Sequence, residues 1–156
     1  MECYAQDSQI PTDWKKVKVC QINFLLPKNL KNQYAKGIDS CVADFRNGKM
    51  KLTIDSGHFG GNIEKTETNL PFKEEFTEID GKKVQLYFYK NTKNKANRRF
   101  IAGLYVVLDE AKNKEKDLST FLYMTVEAKS ETEIEIAKQI FRSISFDVFA
   151  PFSVQR

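Results

Sequence analysis

"SCVADFRNGKMKLTID", residues 40–55, decides the fold, because it carries Asn47-Gly48 between two runs that alternate apolar and polar. Asn and Gly best tolerate the positive φ that both central residues of a type I′ turn require, so the chain is expected to reverse there as a two-residue hairpin. That turn sets Phe45 opposite Met50, Asp44 opposite Lys51, Ala43 opposite Leu52, Val42 opposite Thr53, Cys41 opposite Ile54 and Ser40 opposite Asp55. Successive side chains point to opposite faces of a strand. Cys41, Ala43, Phe45, Met50, Leu52 and Ile54 therefore share an apolar face, while Asp44 and Lys51 meet as opposite charges on the other. On this reading Cys41 is a small core residue and not a nucleophile, since a thiol facing Phe45 and Leu52 is desolvated and slow to ionise.

Working towards the N-terminus, "VKVCQINFLLP" (residues 17–27) reads as one strand closed by Pro27. The polar "KNLKNQYAKG" after it ends in a glycine suited to stopping a turn of helix. Towards the C-terminus, Asp80-Gly81 marks a second hairpin with Glu78 and Lys83 as cross-strand partners. Then come two runs rich in β-branched and aromatic residues, "RRFIAGLYVVLDE" and "STFLYMTVEAKS", joined to their neighbours by short polar segments that suit an antiparallel meander. In the first of these, Phe100, Ala102, Leu104, Val106 and Leu108 point one way. Ile101, Gly103, Tyr105 and Val107 point the other and are nearly as apolar, which predicts a central strand covered on both faces. "SETEIEIAKQIFRSI" (130–144) turns helical, with Ile136, Ile140 and Ile144 four apart, Ala137 and Phe141 beside them, and a capping-box pair in Ser130 and Glu133. A last short strand is expected in "SISFDVF".

At 156 residues the chain fits one domain, drawn as residues 17–150 between a flexible segment at 1–16 and a tail at 151–156. Hydrophobic residues at 41% and charged ones at 29% exclude disorder of the whole, and no apolar run approaches the roughly 18 residues that span a bilayer. The net charge of +4 is mild, but it is unevenly placed: residues 81–108 hold no acidic side chain and seven basic ones. The opening "MECYAQDSQ" resembles the end of a secretory signal, so an exported or periplasmic location is preferred over a cytoplasmic one. In that case Cys20 and Cys41 can bridge, leaving Cys3 over.

Chemistry-bearing motifs are sparse. No Cys pair has zinc-ligand spacing around the single histidine, His58, and "SGHFGGN" lacks the lysine and helix start of a phosphate-binding loop. Ser40, Asp55 and His58 suggest a hydrolase triad, but the glycine-flanked serine of a nucleophile elbow is missing and the exposed end of a hairpin explains the same residues. The basic loop at 90–99 suits phosphate contacts, although a solvated hairpin tip is the preferred reading and the aromatic-glycine signature of an RNA-binding sheet is absent. Tyr87 and Tyr89 share one strand face, and if neighbouring strands bring Tyr105 and Tyr123 alongside, the sheet carries a tyrosine cluster that can stack on a ligand. The preferred alternative there is a helix packed over that face, with the hydroxyls bonded at its rim.

The order of a strand ending in "LP", "GIDSCVADF", a strand ending in "DSG", "EIDGKKVQLY", two long strands and a final "AKQIFRSISF" resembles the PsbP-like superfamily over residues 17–146, in particular its uncharacterised bacterial secreted members. The resemblance implies an α+β fold in which helices flank a central antiparallel sheet as an α/β/α sandwich, and it implies no catalytic set. The reading that follows is a non-enzymatic binding or accessory domain with Tyr87, Tyr89, Tyr105 and Tyr123 as candidate ligand contacts, a protein or small molecule as partner, and no catalytic, metal or cofactor site assigned.

Overall fold

The computed structural model describes residues 11–37, 40–57, 72–91, 99–109 and 120–146. They form nine strands and one helix: β1 (Lys15–Val19), β2 (Ile22–Leu26), β3 (Lys31–Asn32), β4 (Cys41–Arg46), β5 (Met50–Gly57), β6 (Phe72–Ile79), β7 (Lys82–Lys90), β8 (Phe100–Asp109), β9 (Thr120–Ala128) and α1 (Glu131–Arg142). β1 and β2 make a separate hairpin, and the other seven form one antiparallel sheet in the order β3-β4-β5-β9-β8-β7-β6.

Alternation sorts this sheet into two unlike faces. Leu52, Ile54, Val84, Leu86, Ala102, Leu104, Met124 and Val126 point to one side and are buried there with Ile22, Phe24 and Leu26 of β2 and Ala137, Ile140 and Phe141 of α1. The helix and the small hairpin thus close the same face. Their mutual placement is fixed by polar bonds at the helix end. Ser143 Oγ donates to Ile140 O at 2.6 Å and accepts from Leu25 N–H at 2.9 Å, and Ser145 exchanges backbone bonds of 3.0 and 2.8 Å with Asn23. Beyond it, Phe146 N–H donates to Asp80 Oδ2 at 2.7 Å, tying the chain to the β6–β7 turn.

These findings correct the α/β/α sandwich. Among the described residues the molecule is mostly β, with a single helix on one side of the sheet. The segment read as a helical turn after Pro27 instead carries the two-residue β3. The second face of β8 is indeed covered in part, but by rings of its neighbours and not by a helix. An added Cβ at Gly103 would lie 2.0 Å from Tyr87 Cζ, so the Tyr87 ring occupies the space that a side chain there would fill. The final strand expected at 143–149 is reduced, within the described residues, to the isolated bridge between Ser145 and Asn23. No helix among the described residues is long and apolar enough to cross a membrane.

The opening hairpin forms with its two faces as read but with its turn displaced. Arg46 faces Lys51, Asp44 faces Thr53 and Cys41 faces Ser56. The reversal is centred on Gly48-Lys49, because Asn47 Oδ1 accepts from the N–H groups of Lys49 (2.7 Å) and Met50 (2.8 Å), an Asx turn that needs no left-handed residue. Gly48 accordingly has no positive φ. The pairing moves by two residues, an even number, so no side chain changes face. Lys51 loses Asp44 as its partner and stands opposite Glu127 instead, while Asp44 forms an ion pair with Arg46 at 3.0 Å.

The run read as one strand over 17–27 is two. Cys20 and Gln21, at φ 53° and 66°, make a tight reversal without a glycine, and Val19 pairs with Ile22. Asp80-Gly81 forms the second hairpin as read, with φ of 50° and 84° and Glu78 opposite Lys83.

Candidate functional site

The outward face of the sheet gathers the four tyrosines. Tyr105 lies directly opposite Tyr123 with ring centroids 4.8 Å apart, and its other neighbour, Phe121, stacks on it at 5.7 Å. Tyr87 and Tyr89, two apart on β7, stack at 6.3 Å with ring planes 13° apart. Gly103, opposite both Tyr87 and Thr125, leaves room for the Tyr87 ring between the two groups. The rings thus cover the middle of β7, β8 and β9 by leaning sideways, and among the described residues no helix lies over them.

The members are not equivalent. Tyr87 is only 5% exposed, and burial pushes its phenol up to about 12, with the hydroxyl of Thr125 pulling it back and nearby Tyr89 and Tyr123 adding to the rise. It is a neutral anchor that sets the positions of its neighbours. Tyr89, Tyr105, Tyr123 and Phe121 are half-buried, with part of each ring reachable from solvent, and burial also raises the Tyr105 phenol. Polar side chains surround the rings: Gln85 opposite Tyr105, Asp55 opposite Tyr123 and Glu74 opposite Tyr87, with Gln85 Nε2 donating to Glu74. Such an arrangement offers flat apolar surface edged by donors and acceptors, which suits stacking and edge recognition together. Phe121 escaped the sequence reading although it sits two residues before Tyr123 and shares its face by alternation alone. The β6 residue Phe76 belongs to the same side and is 73% exposed.

The other sequence candidates fare differently. Asp55 is exposed and faces Val42, so the expected Ser40–Asp55 pairing does not form, and His58 lies outside the described residues. Within the basic loop, Lys93, Lys95 and Arg98 also lie outside them, while Asn91 N–H donates to Arg99 O at 2.6 Å to close the base of the β7–β8 connection. Cys41, expected in the core, is exposed and joined to Cys20 by a disulfide across a Cα separation of 5.6 Å. It keeps the face of Ala43 and Phe45 but stands at the sheet margin, where Cys20 at the tip of the β1–β2 hairpin meets it. The bridge fastens that hairpin to the main sheet across 21 residues of chain.

No family model matches the chain, and no curated protein matches it.

Proposed function

We propose that this chain is a small binding domain whose working surface is the tyrosine face of the sheet, with a ring-bearing or otherwise flat ligand stacked on Tyr89, Tyr105, Tyr123 and Phe121. The observation that carries this reading is the 4.8 Å pairing of Tyr105 with Tyr123 on a face that no described helix covers. A sheet of aliphatic residues on that side would need a covering layer; half-buried phenols satisfy both the sheet beneath and water or ligand above. Placement in an oxidising, extracytoplasmic compartment belongs to the same reading, supported by the Cys20–Cys41 bond, which reducing cytosol would not maintain.

The test uses ring-resolved NMR of the full chain titrated with two probes, cellohexaose and a short single-stranded oligonucleotide. The binding reading predicts shift changes concentrated on Tyr105, Tyr123 and Phe121 with one of them, abolished by Tyr105→Ala. Shifts scattered over the surface, or none with either probe, would count against it.

A further inference from the structure

The opposite side of the sheet holds a second opening. α1 packs most on β8, β9 and β2, and along its flank, past the buried Val84 and Leu86, it leaves Phe88 of β7 only partly covered. A cavity of about 400 Å³ opens there, within the range of small-molecule sites. Its floor is Phe88, Phe100 and Ile134, each packed on the core yet only partly buried. Its mouth is cationic in a patterned way. Lys73 faces Phe88 across β6–β7 and Lys90 faces Phe100 across β7–β8, so each ammonium-bearing side chain borders one floor ring. Lys90 Nζ stands 5.2 Å from the Phe100 centroid and Lys138 Nζ 4.9 Å from that of Phe88.

The charge is not cancelled. Two carboxylates border the same cavity, Glu131 and Glu135, and the second is already engaged by Lys138 at 3.3 Å. Lys73 and Lys90 have no carboxylate partner among the described residues. A neighbouring cavity of about 420 Å³ further along the helix sets Glu75 and Glu78 against Lys138 and Arg142, so its charges balance and it lacks the excess of cations over carboxylates that this one presents to an anionic head.

We propose that this cavity binds small amphipathic carboxylates, with the apolar body laid on Phe88, Phe100 and Ile134 and the carboxylate held between Lys73 and Lys90. The site is separate from the tyrosine face and does not depend on it. Isothermal titration of the full chain with decanoate, and with decylammonium as the same tail under the opposite charge, tests it. Decanoate binds at low salt, decylammonium at least tenfold more weakly. The pair Lys73→Ala/Lys90→Ala, at two exposed positions that leave the far-UV spectrum unchanged, weakens decanoate tenfold or more. Ile134→Trp fills the floor and removes binding of both, whereas Tyr105→Ala changes neither. The proposal is overturned by no decanoate binding up to about 1 mM, by equal affinity for the two heads, by undiminished binding in the lysine variant, or by loss of decanoate binding in Tyr105→Ala.

Discussion

The two faces of the seven-stranded sheet are made by the same strands and the same alternation, yet they are finished by different means. On the helix side, aliphatic chains from Leu52 to Val126 stop short of solvent only because β2 and α1 bring a second layer over them. On the tyrosine side, Tyr87 lies over Gly103 and Tyr105 leans on Tyr123 and Phe121, so the face covers much of itself. Branched aliphatics cannot do this, since they reach too short a distance sideways. The difference teaches that an apolar run on both faces of a strand calls for cover on both, but not for a helix on both.

The comparison breaks most visibly on the helix side. Leu104→Ala, at a fully buried position, should cost about 2 to 5 kcal/mol in chemical denaturation. Opening the Cys20–Cys41 bond, which pins the hairpin half of that cover, should cost about 3 kcal/mol by loop entropy, read as the difference between oxidised and reduced melts. A non-reducing intact mass two hydrogens below the reduced value checks the bond itself.

The tyrosine side should respond to pH. The Tyr87 phenol sits at about 12 in the folded chain against an ordinary 10. Between those values the unfolded chain has shed that proton while the folded chain still holds it, so its contribution is complete below pH 10 and is lost as pH rises to 12. The fall amounts to about 2 to 3 kcal/mol, and Tyr87→Phe should flatten it. Gly103→Ala should cost about 1 to 2 kcal/mol by displacing that ring, with a changed near-UV spectrum and an intact far-UV one. Smallest of all, Tyr105→Ala should lower stability by about 1 kcal/mol or less, because the ring is half-exposed, while removing ligand binding at the face.

Much of this contrast was legible in the residues. Period-two alternation placed Ala43, Phe45, Met50, Leu52 and Ile54 inside and put Tyr87, Tyr89, Tyr105 and Tyr123 on their shared faces, because face is an intrinsic property of a strand. The exact pairing was not legible. Asn47 could act through its backbone, as a left-handed turn residue, or through its side-chain oxygen, and only the geometry around Lys49 and Met50 shows that it does the latter. The Cys20-Gln21 reversal carried no signal, since two non-glycine residues at positive φ look from sequence like the middle of a strand. The cavity beside α1 was equally hidden. It arises from where a helix stops covering a sheet, a matter of layer width that no local pattern encodes.

Tyrosine nitration of the folded chain by tetranitromethane, mapped by peptide mass, tests the unequal faces most directly. Tyr89, Tyr105 and Tyr123 should be modified readily and Tyr87 protected until the protein unfolds. Protection of Tyr105 and Tyr123 to the same degree as Tyr87 would mean that a further layer closes this face, and would contradict it as a binding surface.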